Sequence, residues 1–464
     1  MSENLRVKEL LRQYRLSGPE PPDEADSSLY RLVSNDHGTP APDQLPEFVL
    51  SIDGSYVEVP VPNGVLSAGL GYVTITDVLL DLGELIRLDQ NRPVDPRDMR
   101  RTTMAGAVDT VLAGCNIIFD GELDPQSSFR RGVIDLLREK QALAGGETLL
   151  ESYEALLAYK PLVPLQRCPY GATCEHTTPQ SAYKRVSGTK ACECPLKLAV
   201  HSTDALRIYE KFNPLGENAG AFSEAMQVVE RLWLIHTLRS LEQNGMLDVL
   251  ARMAIVLDGP LAVFGSSGWL SRAISKELFR INGLVREQTG KDLLLVGIEK
   301  SGMFVDHLAR LCSMSDLDAA TRAARSTTSG SDTGSSSRTI QMKPQTALLP
   351  TDGYIRNNVV FTKNTHQYGD VTYFGRKFFY RTSSGAQIVA TLPFLKPEDR
   401  NLDSVDTSLF PRLTDALNLF DALGSSRYPN ALIPVSLAHG EAAIPTGLGK
   451  RVLEVLARDL VRRM

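Results

Sequence analysis

Apolar positions recur along the chain with two different periods, and the switches between them separate strands from helices. Residues 4–16 set Leu5, Leu10 and Leu11 among basic residues, a short amphipathic helix that the breaker SGPEPPDE ends, so residues 1–30 read as helix and linker. From Phe48 to Val59 an apolar run meets Asp-Gly and then alternates in period two toward Pro60, which predicts a hairpin opening a sheet. A second strand is predicted at Gly71–Val78, and helical stretches over roughly 79–89 and 128–160. Between Ala219 and Gln243 the residues Phe222, Met226, Val229 and Trp233 fall at helical spacing and predict one long helix. Buried strands follow at Met253–Leu257 and Leu293–Ile298, the second leading into a helix at SGMFVDHLARL. The Ser/Gly/Thr tract within 326–338 cannot bury apolar surface against its ordering entropy and reads as a flexible loop. Strands at 357–362, 371–380 and 386–393, a helix near 406–423, an apolar strand Ala431–Ala438 and a final helix Leu448–Met464 complete the pattern. The mixture predicts an α/β protein built on a mixed sheet with flanking helices.

Composition narrows the chemistry. With 464 residues, 42% of them hydrophobic, the chain can bury a large core, which excludes a disordered or collagen-like polymer. Lys plus Arg number 50 against 55 for Asp plus Glu, a net charge of −5, so any polyanion must be met locally, in a confined channel. The amino terminus lacks the apolar core of a secretory signal, and no apolar run approaches the ~18 residues that span a bilayer, so a cytoplasmic protein with no membrane association is expected. Its six cysteines would then be reduced. Four of them cluster in a turn-rich insert at 165–200, where Cys168, Cys174, Cys192 and Cys194 read C-x5-C-x17-C-x-C. A structural Zn²⁺ would hold such a segment together, with His176 able to replace one thiol; four unliganded thiols are the alternative. Cys115 and Cys312 stand alone in apolar sequence and read as core residues.

Two apolar strands each end in an aspartate followed by glycine, Asp53 in SIDGSY and Asp258 in VLDGPL. An acid at that place emerges from the core where it can meet a cation, although Asp-Gly is also a common turn. Glu230 lies beside the apolar face of its helix, with Met226, Trp233 and Leu234 as neighbours, and needs a counter-charge. A cation shared with the aspartates or a neighbouring arginine would supply it. In Tyr373, Phe374, Arg376, Lys377, Phe378, Phe379, Tyr380 and Arg381 the alternation of charge and aromatic rings suits base stacking and phosphate neutralisation, or an ordinary half-buried strand. A second basic cluster at Arg92, Arg97, Arg100 and Arg101 reads as a further place to meet phosphate or as only a solvated face.

The order of these motifs, strand-DGS, helix-Glu, strand-DGPL, then GIEKSG and a late LAHGEAAIP, resembles the NurA nucleases, partners of HerA-type hexameric DNA-translocating ATPases. The resemblance runs loosely from Asp53 to the carboxyl terminus. It implies a ribonuclease H-like core, here with a Cys-rich zinc-binding insert, whose acids hold Mn²⁺ or Mg²⁺ for cleavage of DNA. Asp53 matches the family's first aspartate, Glu230 its helix glutamate and Asp258 its second aspartate; Glu242 is the rival glutamate, being nearer to Asp258 in the chain. His439 matches the histidine of the late motif, Lys300 a basic position that could hold phosphate, and Tyr373 an aromatic position for which Tyr380 competes. The implied chemistry is two-metal phosphodiester hydrolysis by a homodimer coupled to a HerA-like ATPase, in end resection during repair or in defence against phage. A non-catalytic adaptor capping the ATPase ring, or an RNA-directed nuclease, would carry the same motif order.

Overall fold

The computed structural model describes residues 27–35, 40–61, 68–87, 103–160, 169, 188–192, 197–326, 340–362, 367–424, 432–447 and 450–462. The expected helix at 4–16, Cys168, Cys174, Cys194, His176, the Arg92–Arg101 cluster and residues 327–338 of the Ser/Gly tract lie outside them.

Nine strands form one mixed sheet in the order β1-β9-β10-β11-β8-β7-β2-β3-β4. In chain order they are β1 (Tyr30–Ser34), β2 (Phe48–Pro60), β3 (Gly69–Asp81), β4 (Thr103–Ala113), β7 (Met253–Asp258), β8 (Leu294–Glu299), β9 (Thr346–Pro350), β10 (Gly375–Arg381) and β11 (Gln387–Pro393); β5 (Thr189–Ala191) and β6 (Ala199–His201) make a separate ribbon. The helices are α1 (Leu82–Arg87), α2 (Pro125–Glu139), α3 (Leu149–Leu157), α4 (Ala219–Gln243), α5 (Leu247–Arg252), α6 (Trp269–Thr289), α7 (Met303–Ser326), α8 (Asp352–Ile355), α9 (Leu413–Leu423), α10 (Ile433–Gly447) and α11 (Lys450–Arg462). Among the described residues no helix is long and apolar enough to cross a membrane.

β2, β3 and β4 form an antiparallel meander, whereas β2, β7 and β8 run parallel. The two parallel strands MAIVLD and LLVGIE are apolar almost throughout because both their faces are covered. On one face Leu50, Ile52, Ile255, Leu257 and Leu295 pack with α2, α3, α4 and α6. On the other, Val49, Val256, Val296 and Ile298 pack with α9 and with Val435 of α10. α7 covers Leu348, Phe379 and Val389 in a third cluster.

Several elements differ from the sequence expectation, each for a physical reason. Asp53-Gly54 is not a turn: β2 runs unbroken through it, and the glycine serves packing, since a Cβ there would lie 2.3 Å from Met226 Sδ of α4. The hairpin is instead closed by residues beyond Pro60, and β3 extends to Asp81, which shortens the expected helix at 79–89 to α1. The expected helix at 128–160 divides into α2 and α3, each opened by its own capping box, Asp124 with Ser127 and Thr148 with Glu151. β4 and β9 carry too little alternation, TMAGAVDTVLA and TALLP, to stand out in a periodicity reading. The expected strand at 357–362 is a helical turn continuing α8, started by Thr351, whose Oγ1 accepts from the Tyr354 N–H at 3.1 Å. From Ile433 onward the expected strand Ala431–Ala438 is the first part of α10, with Leu432 forming only a bridge to Gly424 and Ala431 outside the described residues: Pro434 sits in a first helical turn, where its missing N–H costs nothing, whereas a strand would lose a ladder bond there.

The aromatic and basic strand also departs from expectation. β10 is internal to the sheet, and Phe374, Arg376, Lys377, Phe378, Phe379 and Tyr380 are all buried, so they pack the protein's own core and offer no surface for stacked bases.

Candidate metal centre

The register of the parallel strands brings the two aspartates together. β2 and β7 pair from Phe48 with Met253 to Ile52 with Leu257, so the next residues, Asp53 and Asp258, stand side by side where that pairing stops. Both follow the alternation of Val49 and Val256 and therefore face α10. Asp258 pairs with Ile298 of β8, and two residues further on Lys300 places its Nζ 2.7 Å from Asp258 Oδ2. α10 is held against the sheet by Val435, Ala438 and Ala442, all fully buried. The next residue after Ala438 is His439, whose Nδ1 lies 2.8 Å from Asp53 Oδ2 and 3.9 Å from Asp258 Oδ2. One ligand atom from each of Asp53, Asp258 and His439 falls within 4.8 Å of the others. The aspartate is sealed in and the imidazole opens outward, with side-chain exposures of 7% and 62%.

Glu230 comes from the other side of the sheet, on α4. It stands outside the three-atom cluster but near enough for the aspartate charges to act on it. Burial pushes its carboxyl up to about 8; Arg231 pulls against this, and Asp53 and Asp258 add to it. Its Oε1 lies 2.7 Å from Arg231 Nη1 yet out of hydrogen-bond alignment, which leaves a buried acceptor without a donor. Asp53 is likewise raised, to about 6, by burial and then by Asp258, while His439 and Lys300 oppose the shift. The other Asp53 oxygen accepts from the Gly54 N–H at 2.8 Å.

These residues fit a divalent ion. Two carboxylates and an imidazole suit hard to borderline cations such as Mn²⁺ and Mg²⁺, and a third carboxyl, that of Glu230, lies behind them paired with Arg231. Burial raises both Asp53 and Glu230, and the repulsion that adds to it, from Asp258 on Asp53 and from both aspartates on Glu230, is the field a cation would relieve.

The remaining sequence candidates are not brought to this place. Glu242 lies twelve residues beyond Glu230 on α4, about 18 Å at ~1.5 Å per residue, and pairs with Arg280 at 2.6 Å. Tyr373 is buried on the opposite face of the sheet, its hydroxyl 3.3 Å from that of Tyr368 and its ring 4.7 Å from Lys377 Nζ, which is paired with Glu299. The alternation of β8 explains the separation: Glu299 and Lys300 point to opposite faces, so Tyr373 belongs with the first and Asp258 with the second. Tyr380 is buried in the core, its hydroxyl donating to Asp421 at 2.7 Å. Cys115 and Cys312 are buried as expected, and Cys192 is half-buried just after β5. The neighbouring arginine offered as a counter-charge for Glu230 is Arg231, next to it in VVERLW; its bonds to the carbonyls of Pro260 and Ala262 had no signal in the sequence.

No protein-family model, no curated protein and no solved structure matches the chain.

Proposed function

We propose that the chain is a divalent-metal-dependent DNA nuclease of the NurA type, working with a HerA-like ATPase, as a homodimer in the cytoplasm, in end processing, repair or phage defence. The observation that carries this reading is the convergence of Asp53, Asp258 and His439, with first and last separated by 386 positions in the chain. A ribonuclease H-like core is supported by the order β4-β3-β2-β7-β8, an antiparallel meander extended by two parallel strands, with both aspartates on its central pair. The resemblance supplies the partner ATPase, the dimer and the choice of DNA as substrate.

In this reading Asp53 and Asp258 hold Mn²⁺ or Mg²⁺, with Glu230 behind them. The bound ion supplies Lewis acidity, lowering the pKa of an attacking water and balancing charge on the departing oxygen. The protein's own groups do the rest. Lys300, fixed on Asp258, presents a positive charge where a phosphate would approach the acids. His439, with Nδ1 turned to the aspartates, would complete the ion's protein ligands, and its other ring nitrogen is left to donate to a phosphate oxygen. The zinc reading of Cys168, Cys174, Cys192 and Cys194 rests on their spacing and is tested by metal analysis of the purified protein.

The deciding experiment incubates linear plasmid, single-stranded DNA and matched RNA with the protein and Mn²⁺, beside Asp53→Ala and Asp258→Ala. Wild-type hydrolysis of DNA that falls by at least ~10³-fold in both variants is expected. Equal degradation by all three proteins would remove the enzymatic reading, and preference for RNA would redirect it.

A further inference from the structure

Arg231 is buried beside the site, next to Glu230 on α4. From α4 its Nε donates to the Ala262 carbonyl and its Nη2 to the Pro260 carbonyl, both at 3.2 Å. Those carbonyls belong to the loop that leaves Asp258. The loop has no slack: Gly259 takes a φ of 96°, its N–H bonds Ile298 O at 2.7 Å, and Val263 N–H bonds Thr372 O at 2.8 Å. It also lies directly on β8, since a Cβ at Gly297 would stand 2.6 Å from Gly259 O and 2.8 Å from Leu261 N.

We infer that Arg231 is a positioning residue, which clamps the loop 259–262 to α4 and so holds the Asp258 carboxylate in register with Asp53. This rests on the metal reading of the site given above. The same guanidinium flanks Glu230, so a single side chain ties the helix bearing one acid to the strand end bearing another. Its planar fork, reaching two carbonyls and a carboxylate, is a task an ammonium performs only in part. Groups that orient metal ligands from behind typically govern affinity by about 10–100-fold.

The test compares wild type, Arg231→Lys, Arg231→Ala and Glu242→Ala, the last removing an ion pair from the same helix far from the loop. Two quantities are read well below the melting temperature: hydrogen exchange of a peptide covering 258–264, and Mn²⁺ affinity by titration calorimetry. Arg231→Ala is expected to raise loop exchange at least tenfold and weaken Mn²⁺ binding about 10–100-fold, with Arg231→Lys between it and wild type and Glu242→Ala like wild type. A metal-binding wild type whose Arg231→Ala binds Mn²⁺ equally well would overturn the inference alone, as would equal losses in Glu242→Ala. A wild type that takes up no Mn²⁺ would overturn the metal centre and this inference with it.

Discussion

Asp53 and Asp258 sit against each other with a third carboxyl at their back, an arrangement that costs stability whenever no cation is bound. Replacing Asp53 by Asn removes one charge and keeps the shape. Metal-free Asp53→Asn should therefore be more stable than wild type at pH 8, by about 1–3 kcal/mol in urea unfolding, while losing Mn²⁺ uptake. An equal or lower unfolding free energy would contradict the repulsion. A separate acid lability comes from buried histidines. His201, His236 and His307 are each lowered to about 4 by burial. For His236 the cause is visible: Nε2 accepts from the Ala142 N–H at 2.9 Å, so the proton resides on Nδ1, 2.7 Å from Ser152 Oγ, and a second proton would break the first bond. The unfolded chain takes these protons near 6.5 and the folded one resists until about 4, so stability present above 6.5 is lost as pH falls through that window. Urea midpoints at pH 7 and pH 5 check this, and His236→Gln should reduce the difference. At this scale the sequence was informative about Asp53, Asp258, Lys300 and His439 through motif order. It offered a neighbouring arginine as partner for Glu230 but not the carbonyls that Arg231 also reaches, because nothing in a run such as VVERLW says which ones an arginine will find.

Elements were legible in proportion to how strongly one environment shaped them. α4 emerged with its boundaries because twenty-five residues of helical spacing leave no other period, and β7 and β8 because both faces of a parallel strand are apolar. The run Ala431–Ala438 was misread because a short, mostly apolar segment fits a buried strand and a buried helix equally, and only Pro434 spoke for the helix. α4 is tied to its neighbours by charge as well. Arg239 pairs with Glu147 at 2.7 Å and Glu277 at 2.5 Å, the latter almost fully buried. Arg239→Ala would leave Glu277 with Arg280 at 2.7 Å and Glu147 with Gln243 and Ser152, so it should cost about 1.5–3 kcal/mol, read as a loss in unfolding free energy. A cost below 1 kcal/mol would show that solvent reaches them.

The molecule as a whole is organised by contacts between distant parts of the chain. β1 pairs with β9, Tyr30 opposite Pro350, and β2 with β7, Phe48 opposite Met253. Such pairings pay loop-closure entropy before they are rewarded, so refolding from urea should take seconds or longer. Mn²⁺ uptake should appear only in the last phase, because α10 must dock before His439 meets Asp53; uptake preceding that phase in stopped-flow mixing would contradict the geometry. This scale was the least legible in advance: motif order suggested which acids belong together, but the register that sets Asp53 beside Asp258 exists only once the sheet is assembled.

Docking of α10 over β2 also sets a schedule for biosynthesis. A polypeptide still emerging from the ribosome has made both aspartates long before it makes the imidazole that joins them. Fragments released by premature stop codons or stalled translation would carry the two aspartates without the imidazole that meets them, so the three-residue cluster exists only in chains translated past His439.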